Sequence, residues 1–118
     1  MQYVIMAVEA DSDFAARTDP ELADEYWSSW AVYVAAIGES GVMVSGAGLQ
    51  APATATTLRT RGGTVDVQDG PFADSKEQLG GVFVIEVPDL DAALAWAARC
   101  PSAATGSVEV RPVLPPIV

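Results

Sequence analysis

Histidine is absent from all 118 residues, and its absence excludes more chemistry than any residue present supplies. Without imidazole there is no Ser-His-Asp or Cys-His nucleophile and no side chain that ordinarily titrates near neutral pH. The commonest ligand for zinc or iron is missing too. A metal site would have to be all oxygen, and the acids show no ligand spacing such as that of an EF-hand loop. Neither a metal nor a cofactor is expected. Cysteine is almost as scarce: Cys100 alone cannot close an internal disulfide, which fits a reducing, cytoplasmic setting. Positive charge is also thin. Six Lys and Arg stand against sixteen Asp and Glu, a net charge of −10, so gripping nucleic acid or an anionic membrane is disfavoured. No apolar run exceeds strand length, far short of the roughly 18–20 residues that span a bilayer. The first residues lead into a strand without a basic flank, which argues against a signal peptide. No solenoid repeat and no linker interrupts the chain, so one domain is expected over residues 1–118.

What the sequence does contain is patterned. Gln2–Val8 is a continuous, partly β-branched run, suited to a central strand buried on both faces, with polar Glu9–Asp13 ending it. Thr18-Asp19-Pro20-Glu21 offers helix-start chemistry, with Asp19 as cap or Thr18 and Glu21 as a capping box. Ala23, Trp27, Trp30, Ala31, Val34 and Ile37 then recur at spacings of three and four, predicting an amphipathic helix that ends before Gly41. Val42–Ser45 reads as a second strand, and Gly46–Pro52 as a loop leaving it. Thr56–Arg61 and Thr64–Asp69 flank Gly62-Gly63, a dipeptide suited to the positive φ angles of a tight hairpin turn. Asp69-Gly70-Pro71-Phe72 breaks the second hairpin strand, and a polar stretch over Ala73–Leu79 follows. Val82–Val87 is a strong strand after Gly80-Gly81. Pro88-Asp89 stops it and caps a helix from Leu90 to about Arg99, with Leu90, Ala93, Leu94 and Ala97 toward the core. Cys100-Pro101 ends that helix. Ser107–Val113 is the last strand.

The predicted order is β-α-β, an inserted hairpin, then β-α-β: a ferredoxin-like α+β fold with an antiparallel sheet and both helices on one face. The opposite face then carries Val, Ile and Phe that a soluble monomer would not leave open, and sheet-to-sheet homodimerisation covers them.

Several runs also resemble one family. Asp69-Gly70-Pro71-Phe72, followed by Lys76-Glu77-Gln78-Leu79-Gly80-Gly81, is similar to the signature of the DGPF branch of YCII-related proteins. The similarity extends to Gly48–Thr57 upstream, and to Asp89–Ala97 and Ser107–Pro112 downstream. The resemblance implies a dimeric α/β barrel, with a cleft between sheet and helices in each subunit. It also implies an association of some members with sigma factors, and in the wider family a dehydrochlorinase for which a histidine-aspartate pair is proposed. This chain has no histidine, so no catalytic residue carries over from that relative.

Asp69, at a strand end beside a Gly-Pro break, is the residue through which general acid-base chemistry would run. The alternative is that it bonds backbone amides of its own turn. Lys76 and Glu77 either flank the same cleft as ligand contacts or form an exposed pair of opposite charges. Gly80-Gly81 permits close backbone approach, to a ligand or to a packed Asp69 turn. Gly46 and Gly48 lack the further elements of a phosphate loop and read as a strand-end bend beside a pocket. Trp27 and Trp30, with Tyr26 and Tyr33 beside them, either wall a planar ligand or pack on the sheet. Cys100 reads as an inert, half-buried thiol.

Three functions fit these readings. One is binding of a planar or carbonyl-bearing metabolite by Trp27, Trp30, Gly46, Gly48, Lys76 and Glu77. Another is a cofactor-free isomerase or lyase with Asp69 as acid-base. The third is a regulatory partner of a sigma-factor-related protein. The first suits the glycine-lined strand ends and aromatics best, since no activated nucleophile is visible.

Overall fold

The computed structural model describes residues 1–71 and 75–116. Four strands form one antiparallel sheet: β1 (Gln2–Ala10), β2 (Met43–Gly48), β5 (Glu77–Glu86) and β6 (Ser107–Pro112), in the spatial order β2-β5-β1-β6. Helix α2 (Ala23–Glu39) links β1 to β2, and α3 (Leu90–Ala98) links β5 to β6. Each link therefore skips over one strand of the other pair, the interlocked arrangement of a ferredoxin-like fold. A separate two-stranded hairpin, β3 (Thr56–Arg61) and β4 (Thr64–Asp69), is inserted between β2 and β5. Its turn takes φ of +55° at Gly62 and +79° at Gly63, as the glycine pair predicts.

The helices cover one sheet face because β1 alternates. Tyr3, Ile5, Ala7 and Glu9 are buried beneath them, while Val4, Met6 and Val8 face the other way and are half-buried. The core joins Tyr3, Ile5 and Ala7 to Tyr33 and Ile37 of α2, Phe83 and Ile85 of β5, and Ala93 of α3. Asp89 caps α3, its Oδ1 accepting from the Ala92 amide at 2.9 Å.

Several boundaries differ from the sequence reading. β1 continues through Glu9, which is only 1% exposed, rather than ending before it. Two short helices, α1 (Asp11–Ala16) and α4 (Ser102–Thr105), were not expected; each is too short to show a period. Asp19 makes only a local turn, accepting from the Glu21 amide at 2.8 Å, and α2 proper begins four residues later. Gly46–Gly48 belong to β2 and Gly80-Gly81 to β5: Gly46 pairs with Phe83, Gly48 with Gly81, and Gly81 on its other side with Ala7 of β1. On α2 the buried residues are Tyr33 and Ile37, while Ala31 is exposed and Trp27 and Val34 face open space. On α3, Ala93 and Ala97 are buried, but Leu90 and Leu94 are exposed. The polar stretch Ala73–Leu79 straddles residues outside the description, and Phe72 of the Asp-Gly-Pro-Phe motif lies among those.

The molecule is flat, 49 × 46 × 18 Å, with a radius of gyration of 16.0 Å. A compact domain of this length would have roughly 13–14 Å. The hairpin accounts for the excess by standing away from the main sheet, with Leu58, Val65 and Val67 of one face all more than half exposed.

Candidate functional site

Helix α2 touches the sheet tightly at one end only. Near its C-terminus Tyr33 and Ile37 close over Phe83 and Ile85, with the Tyr33 and Phe83 rings edge to face at 5.5 Å. Toward its N-terminus, Trp27, Trp30 and Val34 look down on strands that carry glycine at positions 46, 48 and 81. In register, Gly46 faces Phe83 and Gly48 faces Gly81, so the inward positions beyond Phe83 have no side chain to fill the gap. The result is a cavity of about 730 Å³ between α2, β2 and β5. Loop residues Leu49–Ala51 and Thr54 form its lip. A β-carbon at Gly48 would meet nothing within 4 Å, whereas one at Gly46 would crowd Met43 and Phe83 at 2.7 and 3.0 Å.

Arg17 supplies the cavity's one charged group among the described residues, and it is held from all sides. Its Nη2 pairs with Glu9 Oε2 at 2.8 Å, its Nε donates to the Tyr26 hydroxyl at 2.9 Å, and its Nη1 donates to the Leu49 carbonyl at 2.6 Å. The guanidinium lies 4.8 Å from the centre of the Phe14 ring, 5.6 Å from Tyr26 and 5.5 Å from Trp27. The Trp27 indole in turn donates to the Arg17 carbonyl at 3.0 Å.

Behind it sits Glu9, whose Oε1 accepts from the Tyr26 hydroxyl, so both carboxylate oxygens are partnered. A buried carboxylate demands that satisfaction. It also demands room. Register places Ala7 opposite Gly81 and Val8 opposite Leu79, leaving Gly80 as the extra residue of a β-bulge. A β-carbon there would overlap the Glu9 carboxylate. Gly80 is thus approached by Glu9 and by Arg17, whose Nη2 also reaches its carbonyl at 3.4 Å, and not by the Asp69 turn. Burial, and then the bond to Glu9, push the Tyr26 phenol up to about 12, so it stays protonated over the ordinary pH range.

The expected residues divide. Trp27, Trp30, Gly46 and Gly48 come together in the lining of this cavity. Trp30 also stacks on Phe83, with 6.3 Å between ring centres, so it serves core and wall together. Asp69 is exposed at the end of β4, and Lys76 and Glu77 are exposed at the start of β5; none of the three lines the cavity. The Asp69 turn is held instead by the Gly70 amide on Ala55 and by the Thr57 hydroxyl on the Gly70 carbonyl, at 2.6 and 2.8 Å. Cys100 is fully buried, its thiol raised by desolvation.

The residues that sequence reasoning passed over are Glu9 and Arg17, and Tyr26 was seen only as an aromatic. One signal was available: an acid placed at an inward position of the central strand, with a glycine pair at the end of its neighbour.

The family model for the YCII-related domain matches residues 1–116. The chain belongs to the YCII-related family. An uncharacterised protein of Rhizobium meliloti (strain 1021) is 44% identical over 77 residues, which is 64% of this chain and 62% of that relative's length. Among solved structures, the chain is similar to 5-chloro-2-hydroxyhydroquinone dehydrochlorinase from Burkholderia phenoliruptrix AC1100, in complex with 2,5-dihydroxybenzoquinone. The TM-score is 0.53 and the identity 15%, with 97% of this chain and 94% of the other covered. At that identity the likeness establishes the shared fold, here a YCII-related ferredoxin-like domain.

Proposed function

We propose that this YCII-related protein is a cytoplasmic binder of a small, planar, carbonyl-bearing metabolite, held in the cleft between α2 and the β2–β5 floor. The observation that carries this reading is the 730 Å³ cavity, with its glycine-bearing floor, aromatic wall and, among the described residues, one charged group. Volumes of this order suit small organic ligands, and apolar linings with a few fixed polar groups are the usual design. Because Glu9 neutralises Arg17, the cavity offers a guanidinium N–H donor without net charge, which favours a carbonyl oxygen over a carboxylate. Trp27, Trp30, Gly46 and Gly48 are the proposed contacts, joined by Arg17. Asp69, Lys76 and Glu77 stand outside the lining and are not carried into the proposed contact set. No described helix is long and apolar enough to cross a membrane.

The reading is tested by thermal shift against indanone, coumarin and 2,5-dihydroxybenzoquinone. A compound at 100 times its dissociation constant should add about 2.7 kcal/mol. Gly48→Phe fills the cavity and should abolish the shift while the fold persists. A shift that survives Gly48→Phe would place the ligand elsewhere, and no shift with any of the three would count against the cavity as a binding site.

The same proposal includes a homodimer. Val4, Met6, Val8, Val82 and Val84 share the sheet face without helices, and the hairpin offers Leu58, Val65 and Val67. Light scattering on the purified protein should give twice the chain mass of 12.3 kDa, and a monomer at micromolar concentration would sink this part.

A further inference from the structure

A second cavity, of about 230 Å³, lies on the far side of Tyr26 and Trp30, between α1, the start of α2 and α4. Tyr26 and Trp30 line both cavities; Glu9 lines the small one and Arg17 the large one. The two spaces are therefore separated by a partition containing a phenol, with a buried carboxylate bonded to its rear. The small cavity is far larger than the roughly 10–15 Å³ that one water needs, and polar Asp13, Glu25, Ser29 and Thr105 border it.

We propose that Tyr26 and Glu9 form a proton relay across this partition, Tyr26 exchanging protons with a ligand in the large cavity and Glu9 passing them to and from the small one. The inference rests on the cavity reading above and extends it to ligands with an acidic proton next to a carbonyl. The bonding pattern supports it. The Tyr26 oxygen donates to Glu9 and accepts from Arg17 Nε, leaving one acceptor direction. A proton leaving the carbon α to a ligand carbonyl moves to that oxygen while the phenol's own proton crosses to Glu9 Oε1. The electron pair of the broken C–H bond becomes the enolate double bond, and the negative charge rests on the ligand oxygen. Four of the five guanidinium N–H groups of Arg17 are engaged among the described residues, on Tyr26, Leu49, Glu9 and Gly80. In this relay the fifth, on Nη1, holds the enolate oxygen. Glu9 ends as a neutral acid and Tyr26 as a phenol. Return of the proton to the same carbon exchanges it, and return to another carbon isomerises the ligand. Nothing is oxidised and no co-reactant is needed.

The experiment uses indanone in D₂O with the full-length protein, following loss of its α-protons by NMR and its binding by saturation transfer in the same tube. The wild type should bind and accelerate exchange. Tyr26→Phe and Glu9→Gln should still bind while exchange falls on the order of 100-fold or more. Glu9→Asp keeps the charge opposite Arg17 but withdraws it from Tyr26, and should behave like Glu9→Gln. A merely structural role would lower binding and exchange together, so the split is diagnostic. If Glu9→Gln does not fold, Tyr26→Phe decides alone. Wild type that binds without accelerating exchange, or Tyr26→Phe that exchanges at the wild-type rate, overturns the relay and leaves the binding reading standing. Wild type that does not bind overturns both.

Discussion

The two ends of α2 rest on the same sheet and do opposite things. At the C-terminal end Tyr33 and Ile37 meet Phe83 and Ile85, all four at most 5% exposed. One and two turns earlier, Trp30 and Trp27 meet Gly46, Gly48 and Gly81, and a cavity opens. The helix is apolar along both stretches. The difference lies in the floor, where bulky side chains give way to glycine within two strand positions. A sheet can therefore be given a pocket by subtraction, without a kink in the helix or a new loop.

Substitutions at the two ends should differ accordingly. Ile37→Ala removes a side chain with no exposure from the filled end and should cost about 2–5 kcal/mol in denaturant unfolding. Val34→Ala, one turn away but 42% exposed and facing the cavity, should cost less than about 1 kcal/mol and be felt mainly in ligand affinity. Equal costs at both positions would mean that the open end is closed in solution. A smaller effect comes from the tyrosines beside each end. Burial raises both Tyr26 and Tyr33, Tyr26 to about 12. The native state then holds these protons more tightly than the unfolded chain does. Their contribution to stability is complete below about pH 10, the unfolded value, and is lost as pH rises toward 12 and beyond. Ultraviolet titration should show these tyrosinates appearing late. Ionisation of every tyrosine near pH 10 in the folded protein would contradict the burial of both.

Legibility in the sequence followed the range of the interactions. The Gly62-Gly63 hairpin and the Asp89 cap are set by neighbours a few residues apart, and both were readable with their boundaries. The α2 stripe was readable as a helix, but which residues it buries was not. Trp27, Trp30 and Val34 have core-like spacing, and only the glycines on two other strands turn that spacing into a cavity wall. Glu9 was the least legible. A polar residue after Gln2–Val8 reads as a strand end, and its burial depends on Arg17, Tyr26 and the space above Gly80. The Gly80-Gly81 pair was recognised as a place of close approach, but sequence alone could not say what approaches.

The bulge at Gly80 also bears on the order in which the protein can assemble. Glu9, Arg17 and Tyr26 lie within eighteen residues of one another and can meet early, through contacts that close short loops. Their carboxylate has no place to rest until β5, some seventy residues later, pairs with β1 and presents a residue without a side chain. On a ribosome, that cluster waits through nearly half of the chain's synthesis before its seat exists. The site therefore forms only once β5 has paired with β1, and competence to bind a ligand there reports that pairing.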